Sequence, residues 1–374
     1  STLLASSAAS DVYKRQVQEQ NIISMNFESL RYEAFKDYRA LYQEVCKRAD
    51  CAQGKVYILL DEIQEVDSWE QVINSLRVDL DCDIYVTGSN AKLLSGELAT
   101  LLAGRYVEIR VYPLDFREYL DFAAENPEEA FLSQQEQFAN FLRFGGLPGI
   151  HQMKWEETRV MQYLHDIYNS VLLKDVIARN KIRDTALLES VIAYLMDNIG
   201  NTFSAKTITD FLKNQGRKLS AETVYNYLRA LESAFLIHKA VRFDIKGKRI
   251  LKTQEKYYLA DVSLKYALLG YNRKMLDGAM ENIVYLELKR RGYDVYIGKN
   301  DTKEIDFVAT RRDERIYVQV CVRIPEASDR EVGNLMEIRD HYPKYVVTLN
   351  EMDTGIEDGI RIVHLADFLL ADAW

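Results

Sequence analysis

Proline, cysteine and histidine are scarce in this chain of 374 residues, and each scarcity excludes a class of protein. Five prolines and 17 glycines leave little room for long flexible linkers. The four cysteines form no CxxC pair, so we expect reduced structural thiols and neither a disulfide framework nor a zinc site. The five histidines are scattered without HExxH or HxxxH spacing, which argues against a histidine metal site or a catalytic triad.

Long apolar runs are also missing. No stretch is long and apolar enough to span a membrane, and no signal peptide is visible, so we expect a cytoplasmic protein with no membrane partner. A chain of this length with 48% hydrophobic residues can bury the cores of roughly two or three domains. The net charge of -9 excludes a basic nucleic-acid binder as a whole, although a local basic face remains open.

An apolar run that ends in two acids is the most informative feature present. Residues 55–64 read KVYILLDEIQ, in which Val56 to Leu60 has the length of a strand buried on both faces of a parallel sheet. Acids at the carboxyl end of such a strand, here Asp61 and Glu62, lie where open α/β sheets bind ligands. One carboxylate can hold Mg²⁺ and its neighbour can polarise an attacking water. The alternative is a buried strand that happens to end in acids.

The segments that follow extend this pattern. Residues 67–79 have the periodicity of an amphipathic helix, and residues 82–87 read as the next buried strand. That strand ends in the polar tip Thr87-Gly-Ser-Asn90, which would lie beside the two acids if the strands are neighbours. A helix closing on Gly-Arg follows, and residues 106–120 read as a further strand.

In combination, LLDEIQ, TGSN, LLSGELATLLAGR and YPLDFREYL resemble a family of prokaryotic AAA-type (P-loop) ATPases with a C-terminal domain related to restriction endonucleases. The resemblance covers roughly residues 17–374 and implies ATP and Mg²⁺ as cofactors in intact relatives. It implies an α/β fold: a parallel P-loop NTPase core, truncated here to residues 17–122, then a helical and winged-helix middle, then an α/β endonuclease-like domain.

The resemblance also implies roles for particular residues. Asp61 would bind the nucleotide's Mg²⁺, with Thr87 beside it, and Glu62 would orient or activate the water. Asn90 would sense the γ-phosphate, and Arg105 would contact phosphate in cis or reach the site of a neighbouring subunit.

The phosphate-binding motif GxxxxGK[ST] occurs nowhere in the sequence. Its backbone N–H groups and its lysine cradle the phosphates, so we expect the chain as printed to bind ATP poorly or not at all. We interpret residues 1–16 as a non-native read-through segment, because DVYKRQ is what a sequencing adapter would encode. Two alternatives stay open: Ser1-Thr-Leu-Leu4 as the tail of a truncated GKSTLL, or a disordered tail. A search of the upstream reading frame for GxxxxGK[ST] would decide between these interpretations of residues 1–16.

The middle of the chain has two segments. Residues 123–185 read as a helical lid or linker interrupted by GGLPG, whose glycines we assign to a tight turn in preference to a ligand. Residues 186–262 read as three helices and a β-ribbon, the order of a winged helix. Lys246, Lys248 and Arg249 in the ribbon are candidate DNA-phosphate contacts. A protein-packing module is the alternative, and it is the interpretation that we favour.

Residues 263–374 carry the pattern of a degenerate endonuclease-like core. Its acids would be Glu281 or Glu287 on a helix and Asp306 on a strand, with Asp306 as a solvated hairpin residue being the alternative. The sequence Gln319-Val-Cys stands where Glu-x-Lys is expected. Because Gln is a weak Mg²⁺ ligand and Cys cannot replace an ammonium, we expect no nuclease activity.

Taken together, the sequence predicts an ATP-binding and ATP-hydrolysing protein that couples its nucleotide state to a DNA- or protein-binding C-terminal region. Nucleotide binding is expected to be lost in the chain as printed. A non-enzymatic DNA- or partner-binding protein with a vestigial nucleotide site is the alternative. The possible partners are DNA, another protein and further copies of the chain.

Overall fold

The computed structural model describes residues 17–88, 106–214, 216–217, 219–272, 276–325 and 330–374. The chain divides into two compact units, residues up to 111 with 233–235, and residues 112–232 with 236–374.

The first unit contains a parallel sheet of three strands in the order β1-β2-β3. Its strands are β1 (Ile22–Asn26), β2 (Val56–Asp61) and β3 (Cys82–Val86), and its helices are α1 (Tyr38–Ala49) and α2 (Trp69–Asp79). Strand β2 is paired with a neighbour on both sides, and its last four residues are buried, as the apolar run predicts. The alternation of strand and helix with parallel pairing confirms the predicted α/β architecture of this part of the chain.

The register of this sheet aligns the carboxyl ends of its strands. Asn26 pairs with Asp61, and Leu60 pairs with Val86. Thr87 continues the alignment, because its N–H donates to the oxygen of Leu60 at 3.0 Å. The ends of all three strands therefore meet at one edge, where polar side chains can converge.

The prediction of a strand over residues 106–120 is wrong. Residues 106–115 form neither helix nor strand, and helix α3 (Phe116–Glu125) begins at Phe116. A capping box explains the helix: the Asp115 carboxylate accepts from the N–H of Glu118 at 2.8 Å, and the Glu118 carboxylate accepts from the N–H of Asp115 at 3.0 Å. These bonds satisfy N–H groups that the first turn of a helix leaves without partners, so local capping decides the conformation.

The second unit begins with helices. The π-helical turn Leu172–Ala178 continues the third of them. In chain order the helices of this unit are α3, α4 (Gln134–Phe144), α5 (Glu157–Val171), α6 (Thr185–Asp197), α7 (Ala205–Asn214), α8 (Ala221–Ser233), α9 (Ser263–Leu269), α10 (Leu276–Arg290), α11 (Arg330–Met336) and α12 (Leu365–Leu370). Among the described residues, no helix has both the length and the apolar character that crossing a membrane requires.

A mixed sheet of eight strands completes the second unit, in the order β10-β11-β9-β8-β7-β6-β4-β5. Strands β6, β7 and β8 form an antiparallel meander. Strand β8 pairs in parallel with β9, and β4 pairs in parallel with β6. The predicted β-ribbon is therefore part of this sheet and not a separate wing. The strands are β4 (Ile237–Asp244), β5 (Arg249–Leu259), β6 (Asp294–Asn300), β7 (Lys303–Arg311), β8 (Glu314–Cys321), β9 (Lys344–Thr348), β10 (Gly355–Glu357) and β11 (Ile360–His364).

The GGLPG turn joins the helices of the second unit to the segment before α9. Gly146 donates its N–H to the buried carboxylate of Asp261 at 2.8 Å and accepts from the N–H of Leu114 at 2.7 Å. A Cβ at Gly145 would lie 1.8 Å from an Asp261 oxygen, and a Cβ at Gly146 would lie 2.1 Å from the Leu114 oxygen. The Asp261 side chain thus leaves no room for a Cβ at Gly145, and the Leu114 backbone leaves none at Gly146, which supports a structural role for the turn.

Candidate functional site

The carboxyl edge of the first sheet brings together one polar side chain from the end of each strand. The Asp61 carboxylate accepts from the amide of Asn26 at 2.8 Å through one oxygen and from the hydroxyl of Thr87 through the other. Asp61 is 8% exposed. Its carboxylate is therefore held in one orientation by the two neighbouring strands, as a ligand-binding group must be.

Glu62 occupies a strained position directly after Asp61. Its backbone has φ 55° and ψ 46°, the left-handed region that costs a residue with a Cβ about 1–2 kcal/mol. The N–H of Glu62 donates to the Thr87 hydroxyl oxygen at 3.4 Å, and the Gln64 amide donates to the Glu62 carboxylate. Backbone strain of this kind persists only where surrounding contacts enforce it, and it is concentrated at functional sites.

The donor set at this edge fits a Mg²⁺ ion that is shared with a nucleotide. Mg²⁺ at phosphate sites takes one or two protein carboxylates and completes its octahedron with phosphate oxygens and water. Asp61 supplies such a carboxylate, with the Thr87 hydroxyl in contact. In the part of the chain that the structure describes, no group of three or more His, Cys, Asp and Glu residues could hold a metal ion alone. The predicted residues Asn90 and Arg105 lie outside the described residues.

Sequence reasoning missed Asn26 at this site. The signal was present, because Asn26 is a polar residue at the end of an apolar strand, as Asp61 and Thr87 are. The register of β1 against β2 then places Asn26 opposite Asp61.

A buried cluster of charges forms the second candidate site, in the second unit. The ammonium of Lys256 on β5 lies 2.9 Å from a Glu281 oxygen, 2.8 Å from a Glu304 oxygen and 3.7 Å from an Asp306 oxygen. The Tyr258 hydroxyl donates to the same Glu281 oxygen at 2.6 Å. The Lys256 side chain is 3% exposed and the Glu304 side chain is 29% exposed, so the ammonium is buried while one of its carboxylates reaches solvent.

Helix α10 decides which of its two acids joins the cluster. The Asn282 side chain accepts from the N–H of Leu259 at 2.6 Å and donates to the oxygen of Leu259 at 3.0 Å, which fixes the helix against β5. Glu281, the neighbour of Asn282, thereby reaches Lys256. Glu287 instead contacts Arg290 and Arg291, each at 2.7 Å. Of the two predicted helical acids, the structure brings only Glu281 to Asp306.

The protonation of the cluster follows from burial and from the shared lysine. Burial raises the pKa of Glu281 to about 7, against the opposing charge of Lys256. Burial likewise raises the pKa of Asp306. For Lys256, burial acts to lower the pKa, but the carboxylates of Glu281, Asp306 and Glu304 outweigh it and the pKa is raised. Lys256 is therefore charged at neutral pH.

Gln319 and Cys321 occupy the positions where an acid and a lysine were expected. Gln319 is 4% exposed, and its side-chain oxygen accepts from the N–H of Asp306 at 3.2 Å. Asp306 in turn accepts from the N–H of Val320 at 2.9 Å. Burial, with the charge of Glu331 next in size, raises the pKa of the Cys321 thiol to about 12, so it is neutral and supplies no charge.

Sequence reasoning missed Lys256 and Glu304. The available signal for Lys256 was its position on a strand whose last residues are apolar and buried, where a charged side chain needs a partner. Glu304 lies two residues before Asp306 and hence on the same face of β7. Their meeting could not be inferred, because β5 and β7 are not neighbours in the sheet order.

The basic ribbon residues lie at the turn between β4 and β5 and are exposed. Lys246 contacts Asp301, and an Arg249 nitrogen lies 3.6 Å from an Asp244 oxygen. Lys248 adopts φ 50° in the turn. Exposed ion pairs contribute at most about 1 kcal/mol, so these contacts would yield readily to phosphate, but the acids reduce the positive charge of the turn.

Comparison with known proteins gives the family. Residues 1–120 match a family model described as an AAA domain, and residues 135–274 match a domain of unknown function. An uncharacterized protein from Haemophilus influenzae is 40% identical over 354 residues, which cover 95% of this chain and 87% of that protein. The chain belongs to an AAA-type protein family. A further relative, an uncharacterized protein from Methanocaldococcus jannaschii, is 30% identical over 328 residues, which cover 83% of this chain and 73% of that protein.

Two solved structures show weaker likeness to this AAA-type chain. A Walker-type ATPase of Pyrococcus abyssi has a TM-score of 0.43 and 17% identity, over 68% of this chain and 69% of that one. The ORC1 protein of Aeropyrum pernix in complex with DNA has a TM-score of 0.28 and 13% identity, over 66% and 77%. With TM-scores below 0.5, neither bears on the fold or function of this chain.

Proposed function

We propose that this AAA-type family binds Mg-ATP at the carboxyl edge of the first sheet and hydrolyses it. The observation that carries the proposal is the strand-end arrangement: Asp61 is held between Asn26 and Thr87, and the strained, buried Glu62 follows. A carboxylate for the cation and an acid beside it are what ATP hydrolysis requires of a protein at this position.

Each residue has a distinct role in the proposal. Asp61 would hold Mg²⁺, which when bound neutralises charge on the phosphates. Glu62 would orient a water molecule and accept its proton, a contribution of typically about 10²–10⁴ in rate. The contact of Thr87 with Asp61 keeps that carboxylate in place. Asn90 and Arg105 are proposed as the γ-phosphate sensor and the phosphate-contacting arginine.

For the second unit we propose a degenerate endonuclease-like domain preceded by a winged-helix segment. The pairing of Glu281 with Asp306 around one cluster supports the first assignment. The order of helices α6, α7 and α8 followed by a β-ribbon, with Phe203 bridging to Glu255, supports the second, and in this proposal the ribbon serves both as the wing and as the edge of the eight-stranded sheet. Hydrolysis in the first unit would then change the state of a DNA- or protein-binding second unit.

A non-enzymatic binding protein with a vestigial nucleotide site is the second candidate, and it concerns the chain as printed. That sequence contains no GxxxxGK[ST], and backbone N–H groups of that motif supply most phosphate contacts in such sites.

The experiment that separates the two candidates uses the chain as printed and a graft. The graft places the phosphate-loop segment of an AAA-family relative that carries GxxxxGK[ST] before residue 17. The ATPase proposal expects no phosphate release from the printed chain and steady release from the grafted one. A folded graft that neither binds nor hydrolyses ATP would leave the vestigial-site candidate.

A further inference from the structure

The cluster around Lys256 has the donor atoms of a cation site, and it already holds a cation. Carboxylates from α10 and β7 surround one ammonium: Glu281 and Glu304 at 2.9 and 2.8 Å, and Asp306 at 3.7 Å. Oxygen atoms of Asp and Glu are the ligands that Mg²⁺ and Mn²⁺ prefer. A divalent ion bound by these three residues would have to lie in the space between them, where the lysine nitrogen is.

Other groups of the protein also contact the oxygen atoms of this cluster. Asp306 accepts from the N–H of Val320 at 2.9 Å, and the Gln319 oxygen accepts from the N–H of Asp306 at 3.2 Å. Glu281 accepts from the Tyr258 hydroxyl at 2.6 Å. Mg²⁺ demands near-octahedral ligands at about 2.0–2.1 Å, and the Lys256 nitrogen occupies the space between the carboxylates that the ion and its waters would need. The residues present do not fit a divalent metal.

We propose that the Lys256 ammonium permanently takes the place of the divalent cation in this cluster, making the second unit independent of metal. The lysine comes from β5, outside the Gln-Val-Cys segment of β8 where the endonuclease pattern would have its own lysine. Its positive charge neutralises the carboxylates, and its ion pairs connect β5 to α10 and β7. The inference concerns the second unit alone, so it stands or falls independently of ATP hydrolysis in the first.

The consequence is a latent metal site that appears when the lysine is removed. K256M keeps a long apolar stem but leaves the three carboxylates without their cation. We expect the full-length K256M protein to bind one Mn²⁺ at least tenfold more tightly than wild type. Adding D306N to K256M should abolish that gain, because one of the ligands is lost.

The measurement is the concentration of free Mn²⁺ by electron paramagnetic resonance during titration of each full-length protein. K239M is the matched control, because Lys239 on β4 also pairs with a glutamate, Glu255 at 3.2 Å, outside the cluster. Mn²⁺ bound at Asp61 is common to all variants and cancels in the comparison. Circular dichroism establishes that each variant is folded before titration.

Two results would overturn the proposal. One is Mn²⁺ binding by the wild-type protein that D306N removes, since the site would then accept metal with Lys256 in place. The other is a folded K256M that binds no more Mn²⁺ than K239M. If K256M does not fold, the comparison of Mn²⁺ binding by wild type and by D306N decides the matter.

Discussion

Replacing Glu281 by Gln should remove a large pH dependence of stability from the second unit. Burial raises the pKa of the Glu281 carboxyl from 4.5 to about 7, even though Lys256 lies beside it. The folded protein therefore holds this proton more tightly than the unfolded chain does. The favourable contribution is complete below pH 4.5 and is lost as the pH rises through 7.

The size of this pH dependence follows from the difference between the pKa of Glu281 in the folded protein and in the unfolded chain. A pKa difference of one unit corresponds to about 1.4 kcal/mol, so a rise from 4.5 to about 7 amounts to about 3 kcal/mol between pH 4.5 and pH 8. Gln keeps the shape and an oxygen that can accept from Lys256 and Tyr258, but it carries no titrating proton. The free energy of unfolding of E281Q, relative to wild type, should rise by that amount over this range.

Urea denaturation at pH 5 and pH 8 measures this difference. Trp69 lies in the first unit, whereas Trp155 and Trp374 lie in the second, so fluorescence in a Trp69→Phe background reports the second unit. E337Q is the control, because Glu337 is an exposed glutamate that pairs with Lys303 at 2.6 Å. Parallel pH profiles for wild type and E281Q would refute the assignment of this proton to Glu281.

Three further predictions concern the second unit. Gly146→Ala should lower its stability by about 1–3 kcal/mol, seen as a lower urea midpoint, because the new Cβ would lie 2.1 Å from a backbone oxygen; an unchanged midpoint would contradict the close approach. Plasmid DNA incubated with the protein and Mg²⁺ or Mn²⁺ should stay uncut, and cleavage abolished by Asp306→Ala would show that the domain is an active nuclease. If the ribbon binds DNA, changing Lys246, Lys248 and Arg249 to Ala should flatten the salt dependence of affinity by up to about three units in a gel-shift titration. No shift at low salt would instead favour protein packing.

Much of the first unit was predictable because its signals are local. The apolar run before Asp61 identifies a strand buried on both faces, and β2 is that strand. The polar ends of β2 and β3 place Asp61 beside Thr87 once the strands are parallel neighbours. The prediction of a strand over residues 106–120 did not take account of the Asp115–Glu118 capping box, which starts a helix.

The second unit was harder to predict because its defining contacts join distant segments. The hairpin of β7 and β8 was predictable from its period of two. The sequence does not indicate that β4 pairs in parallel with β6, which incorporates the ribbon into the larger sheet. Nor does it indicate that Lys256 meets Glu281 and Asp306, since these residues lie on β5, α10 and β7, and β5 and β7 are not neighbours in the sheet.

The most direct test of the central proposal is to separate ATP binding from ATP hydrolysis at Glu62. In the chain grafted with a phosphate loop, E62Q should bind Mg-ATP within about twofold of its parent, since neutral Gln keeps the size of Glu. Its single-turnover hydrolysis should fall by at least about 100-fold, because the group that accepts the water's proton is gone. E65Q, which changes an exposed acid three residues away, should leave both unchanged. An E62Q protein that binds ATP and hydrolyses it at the parent's rate would contradict the role of this strand edge as the catalytic site.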